Sequence, residues 1–337
     1  MSPRLLPLLL AFACFSNPPV HAQQLVGGTT LSNPSIKFTR PAKPYAVLKR
    51  GGVEAVIVDN SAVNDDVLKD HRAGYSGIAL LRHAKRAENL FVPAVAGLNF
   101  EHILDGTAHT GRKLQFEPRN HPMELRVINK HAAELCQSPT FHHSLESCQR
   151  YELLAGGTIQ LTIEVAARKP TFRNGYIGLF WASYINQPES LDIHFRGTPA
   201  AIPNAQPPGW IRGVTPAHGT LSTHPSATDT RTFAHDEPFP LTLVYSFSNY
   251  RYSEPWYFGV SHGMAFVQMF RPKDQVRFTQ SPSGGGTGNP AWDFQFYVPG
   301  YEVGRVYQFV MRAAYLPYES SAQSEKATRK HRAALSR

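Results

Sequence analysis

The residues with the clearest chemical potential lie between Asn249 and Pro299, where aromatic side chains, His262, Arg271 and a run of three glycines crowd together. An imidazole titrates near neutral pH, so His262 can act as acid or base. Tyr184 and Tyr257 are the phenols that could complete proton transfer with it. Arg271 offers a planar fork for a carboxylate, and Gln268 offers hydrogen bonds to hydroxyls. Trp181, Trp256 and Trp292 have flat faces on which the apolar side of a pyranose ring can stack, although most large aromatics in a folded chain serve only as core.

Three further polar groups stand apart from this stretch. Read as a strand, the segment around RNHPMELRV puts Glu117, Arg119 and His121 on one face, as a ligand set or as a salt-linked cluster. His83 and Asn89, with Arg82 and Arg86, form a second group. His102, with Glu101 and Asn99, forms a third.

Metal and nucleotide chemistry lack a pattern. HExxH is absent, and the neighbours His142-His143 and His235-Asp236 have no recognised ligand spacing. Gly284-Gly285-Gly286 precedes no Lys-Ser/Thr pair and reads as a turn. No cofactor and no metal are therefore expected.

The elements that must position these groups read as strands. Ala46–Asn60 folds back at Gly51-Gly52, and Thr158–Val165 alternates as a half-buried antiparallel strand does. Trp256–Phe270 and Ala291–Val298 continue the pattern, as do short runs at Lys113–Pro118, Met123–Asn129, Leu241–Ser248 and Tyr307–Tyr315. His131–Arg150 reads as the best helix or loop, and Gly197–Glu237 as a long ordered excursion. With 27 prolines and 25 glycines among many short strands, the chain reads as all-β, a large antiparallel sandwich with few short helices.

The ends carry separate signals. Residues 1–22 match a secretory leader, with Arg4, the apolar run Leu5–Phe15 and Val20-His21-Ala22 before the cut. Cys14 as a lipid-bearing residue is the weaker alternative. The rest divides into one sandwich domain, 23–318, and a basic tail, 319–337, expected to be disordered. An exported chain favours a disulfide between Cys136 and Cys148, a link contributing about 2–4 kcal/mol. The formal net charge is +9, or +8 once Arg4 leaves with the leader, and half of that, +4, sits in Ser320–Arg337. The body is too mildly basic for nucleic acid, and no later segment is long and apolar enough to span a bilayer.

In their order these motifs resemble the galactose-mutarotase-like supersandwich superfamily. GVEAVIVDN (Gly52–Asn60) resembles its opening strands, and GYSGIALLRHAKRAENLFVP (Gly74–Pro93) the segment framing its sugar pocket. NGYIGLFWASYINQPE (Asn174–Glu189) is similar to its central aromatic strand, and PGYEVGRVYQFVMRAAY (Pro299–Tyr315) to its closing strand. The resemblance implies a supersandwich and a carbohydrate ligand, with an epimerase or a polysaccharide lyase as the enzymatic versions and a non-catalytic binder as the other. The chain departs from the epimerase pattern at both catalytic positions: FWASYI holds no histidine, and MAFVQMFRP offers Gln268 where a glutamate would stand.

Overall fold

A computed structural model describes residues 27–109, 112–202 and 208–337; the leader and Cys14 lie outside them. In chain order the first elements are β1 (Tyr45–Arg50), β2 (Val53–Val58), β3 (Gly77–His83), β4 (Asn99–Leu104) and the short helix α1 (Glu117–Asn120). Then come β5 (Met123–Asn129), β6 (Ala132–Gln137), β7 (Leu145–Leu153), β8 (Ile159–Ala167), β9 (Tyr176–Ala182) and β10 (Ile193–Pro199). The second half holds β11 (Gly209–Gly213), β12 (Thr223–His224), β13 (Tyr250–Ser261), β14 (Met264–Phe270) and β15 (Arg277–Ser281). β16 (Ala291–Pro299), β17 (Tyr307–Pro317) and the helix α2 (Ser321–Leu335) complete the chain.

The strands form antiparallel sheets, as the alternating and β-branched runs predict. One sheet has nine strands in the order β11-β10-β13-β14-β17-β8-β7-β6-β5, a second has five in the order β12-β15-β16-β9-β4, and β1-β2-β3 make a third. The two larger sheets face each other across an aromatic core. Phe270 of β14 meets Phe294 of β16 at 5.0 Å between ring centroids, and Phe309 of β17 meets Phe296 at 4.3 Å. Alternation then sorts the five-stranded sheet. Ile177, Leu179 and Trp181 of β9 point into this core, while Tyr176, Phe180 and Ala182 point the other way, into a second apolar layer.

Segments of the excursion cover that outer layer. Phe233 of the excursion packs on it, followed by Phe239, Leu241, Leu243, Val244 and Tyr245, where Thr242–Val244 is a single 3-10 turn in place of the strand expected over Leu241–Ser248. Asp229 fastens them: its carboxylate binds Arg231 and the buried Arg277 of β15, at 2.9 and 3.0 Å. The excursion also contributes β11 and β12 to the sheets, so part of it is sheet edge.

Four further local expectations are corrected. Lys113–Pro118 is a helical turn running into α1, because Pro118 lacks the N–H that a strand ladder needs and suits the first turn of a helix. His131–Arg150 is the hairpin β6–β7, with Cys136 directly opposite Cys148 and bridged to it. Trp256–Phe270 is two strands, because His262 and Gly263 turn the chain with φ of +52° and +71°. The tail is α2 over Ser321–Leu335. Ser320 caps it by accepting from the Gln323 N–H at 3.1 Å, and it lies against β14 and β17. Its buried side chains are Ser324, Thr328 and Leu335, too small and too polar to show an apolar stripe. No helix among the described residues is long and apolar enough to cross a membrane.

Candidate functional site

The five-stranded sheet places one cluster of titratable groups on its outer face. β4 and β9 pair with a register shift between Phe100 and His102, so the intervening Glu101 is a bulge residue. Strict alternation would send Glu101 and His102 to opposite faces. The bulge instead lets both contact the outer layer, which is the usual effect of an extra residue in a strand. Glu101 meets Tyr184 there, and His102 packs between Phe116 and Phe180 at 4.5 and 5.2 Å.

Tyr184 follows the end of β9 and donates its hydroxyl to Glu101 Oε2 at 2.5 Å. Arg119, in α1, donates from Nη1 to Glu101 Oε1 at 3.2 Å and from Nε to the Gly74 carbonyl at 3.0 Å. Its guanidinium lies 4.0 Å from the Tyr75 ring centroid, and Tyr75 meets Tyr184 edge-on at 6.1 Å. A second carboxylate comes from β16, where Asp293 Oδ1 accepts the Ser183 N–H at 2.9 Å.

Burial sets the protonation of the group. Loss of solvent raises the Glu101 carboxyl above its ordinary value, an effect that Tyr184 and Arg119 only partly offset. Asp293 is pushed up further by the same loss of solvent, with one backbone donor against it and Glu101 adding repulsion. The Tyr184 phenol is also raised by burial and by Glu101. Burial and then Arg119 depress His102 to about 3, so it is neutral. At neutral pH the cluster thus joins two carboxyls that resist ionisation, a phenol, a neutral imidazole and one cation. Groups shifted in this manner can hold and pass protons.

Of the candidate residues, Tyr184, Arg119, Glu101 and His102 meet here. His262 sits in the β13–β14 turn, half exposed, with its backbone N–H donating to Glu189 at 2.5 Å. Arg271 lies at the other end of β14, at least about 20 Å of strand away, and its charge is matched by Asp274 at 2.8 Å. Tyr257 and Gln268 are fully buried in the inter-sheet core, bonded to each other at 2.7 Å. Tyr257 also donates to the Asp293 carbonyl at 2.9 Å, and Gln268 to the Trp292 carbonyl at 3.0 Å.

None of the three tryptophans presents a free face. Trp181 is stacked between Phe100 and Phe294 at 4.6 and 5.7 Å, and Trp292 is sealed in the same core. Trp256 is buried beneath α2, with Arg332 of that helix 4.6 Å over its ring. The face proposed for Glu117, Arg119 and His121 dissolves with the helical turn: Glu117 turns to His143, at 2.7 Å, and His121 to Ser138, at 3.0 Å. Asn89 is a loop brace, accepting from Leu81 and Phe91 and donating to the Ala79 carbonyl. His83 lines a separate cavity of about 520 Å³ beside β1–β3.

Asp293 and Tyr75 were missed as site residues. An acid inside the aromatic strand AWDFQFYV is a readable signal, since burial of a carboxylate is costly without a purpose or a partner. Tyr75 carried no such mark.

No family model matches the sequence, and neither does any curated protein. Solved structures match at the level of the chain trace. A galactose 1-epimerase from Lactobacillus acidophilus superposes with a TM-score of 0.44 at 9% identity, covering 84% of this chain and 99% of that one. A galactose mutarotase related enzyme from the same organism gives 0.39 at 10% identity, over 80% and 97%. A heparan sulfate lyase from Pedobacter heparinus gives 0.36 at 9% identity, over 87% of this chain and 39% of the lyase.

Proposed function

We propose that this chain is an exported protein that recognises a carbohydrate, and that Glu101, Tyr184 and Asp293 form its acid–base centre, with Arg119 and Tyr75 at the entrance. The observation that carries the reading is the short hydrogen bond from Tyr184 to Glu101, beside a second carboxyl whose ionisation burial also opposes. The relay supports proton abstraction. The Tyr184 oxygen takes a proton from a sugar carbon while its own proton passes to ionised Glu101. Protonated Asp293 then donates to the oxygen where negative charge collects and takes over that charge, and Arg119, paired with Glu101, supports its ionised form before the transfer. Lyase-type elimination, and epimerisation at a carbon next to a carbonyl, both begin with such a step.

Burial favours a second reading, in which the site binds without turnover. Glu101 and Tyr184 are only 4% and 9% exposed, so a ligand reaches them only if groups packed around them move aside.

The test uses the mature chain with neutral and uronate-containing oligosaccharides, reading affinity by calorimetry and products by chromatography. Tyr184→Phe and Asp293→Asn should each lower turnover about 100-fold, the scale of one positioned acid or base, while affinity changes little. Binding without any product establishes the second reading. Binding to no sugar in the panel overturns both.

A further inference from the structure

The cavity beside the three-stranded sheet is unrelated to the acid–base centre, and its lining is cationic. Lys49, Arg50, Glu54, Arg82 and His83 face it, with Gly51-Gly52 as its floor. Glu54 is the only acid in the lining, and it is shared by Lys49 at 3.0 Å and Arg82 at 2.9 Å. Arg50 donates to the uncharged Leu153 carbonyl at 3.0 Å. Three cations therefore meet one carboxylate.

The geometry adds a directed donor. The Lys85 backbone N–H donates to His83 Nδ1 at 3.1 Å, which places the proton of a neutral imidazole on Nε2. That nitrogen lies 3.7 Å from where a side chain on Gly52 would begin, so the missing Cβ leaves room beside an N–H donor. Both glycines hold positive φ, +57° and +80°. Side chains rarely adopt that conformation, so the turn keeps its backbone bare.

We propose that this cavity binds a saccharide bearing carboxylate or sulfate groups. Guanidinium forks and an ammonium match the geometry of such oxyanions, and about 520 Å³ holds far more than a single ion. No aromatic ring lines the cavity, so recognition is ionic and the neutral sugar is refused. That the anion is carried on a saccharide rests on the carbohydrate reading above; the ionic site itself does not.

The experiment titrates the mature chain by calorimetry, at low and at physiological salt, with tri-galacturonate, a sulfated galactose trisaccharide, neutral galactotriose and inorganic sulfate. At least one acidic saccharide should bind, more weakly as salt rises, and galactotriose should not. Lys49→Gln and Arg82→Gln should each weaken binding about tenfold. Glu54→Gln should strengthen it, because it frees two cations, an effect that a purely structural role for Glu54 does not produce. Burial and then Lys85 keep the His83 imidazole below its ordinary value; a bound anion should raise it in a histidine NMR titration. The part of the binding that Lys49→Gln and Arg82→Gln remove is the part held by this cavity, which separates it from any sugar bound at the acid–base centre. Equal affinity for galactotriose, no binding by either acidic saccharide, or indifference to Arg82→Gln overturns the proposal. Inorganic sulfate matching the saccharides would show a simple anion site and overturn its saccharide part.

Discussion

Three buried carboxyls in this chain show how the number of donors decides the charge. Glu117 loses solvent on burial, yet the His143 ring and the backbone N–H groups of His142 and His143 hold it at about 2. Glu101 has two donors and Asp293 one, and both are raised. The consequences for stability have opposite signs. Glu117 lies below its ordinary value of 4.5, so it stabilises the fold above that pH and the contribution disappears as pH falls toward 2. Asp293 lies above its ordinary 3.8, so its contribution is complete below that pH and is lost as pH rises through the folded value. Urea melts from pH 3 to 8 should show that Glu117→Gln removes part of the acid-side loss. Asp293→Asn should flatten the decline above pH 4. An unchanged profile in either variant contradicts its assignment.

Among the elements, the hairpin β6–β7 shows why sequence patterning reached only part of the answer. β8 was legible because its residue types alternate, Gln160, Thr162 and Glu164 against Ile159, Leu161 and Ile163, although only Gln160 among them keeps partial exposure and the strand is not half-buried as expected. β6 is buried along its whole length, so it has no polar face to reveal its period. Its Glu134 is satisfied from far away in the chain, by Thr30 and Arg150. Such partners are invisible in a local window. The same limit hid the centre: Tyr184 and Arg119 were chosen from separate stretches, and only the bulge at Glu101 joins them. The cystine was read from spacing and compartment alone, and it lies on directly paired residues 12 apart in sequence. Replacing both cysteines by serine should cost about 2–4 kcal/mol in chemical denaturation. A loss below about 1 kcal/mol would mean that the cross-strand contacts already hold the hairpin.

At the scale of the molecule, the second aromatic layer and α2 change where a ligand can be met. The chain covers the outer face of the five-stranded sheet with its own excursion, fastened by Asp229 and Arg277. It also covers Trp256 with α2, using the Arg332 stem and the ion pair from Arg332 to Glu254 at 2.8 Å. Ending the chain at 319 should expose Trp256, shift tryptophan emission to the red and lower the melting temperature; an unshifted spectrum would mean that the helix does not seal the ring. The residues densest in aromatics are therefore core, and the polar centre sits where β4, β9, β16 and α1 converge. The most direct test of that placement is sugar turnover by the intact chain beside Tyr184→Phe. The account predicts retained folding and binding with about a 100-fold loss of product. Full activity in Tyr184→Phe would contradict it and move the chemistry elsewhere on the molecule.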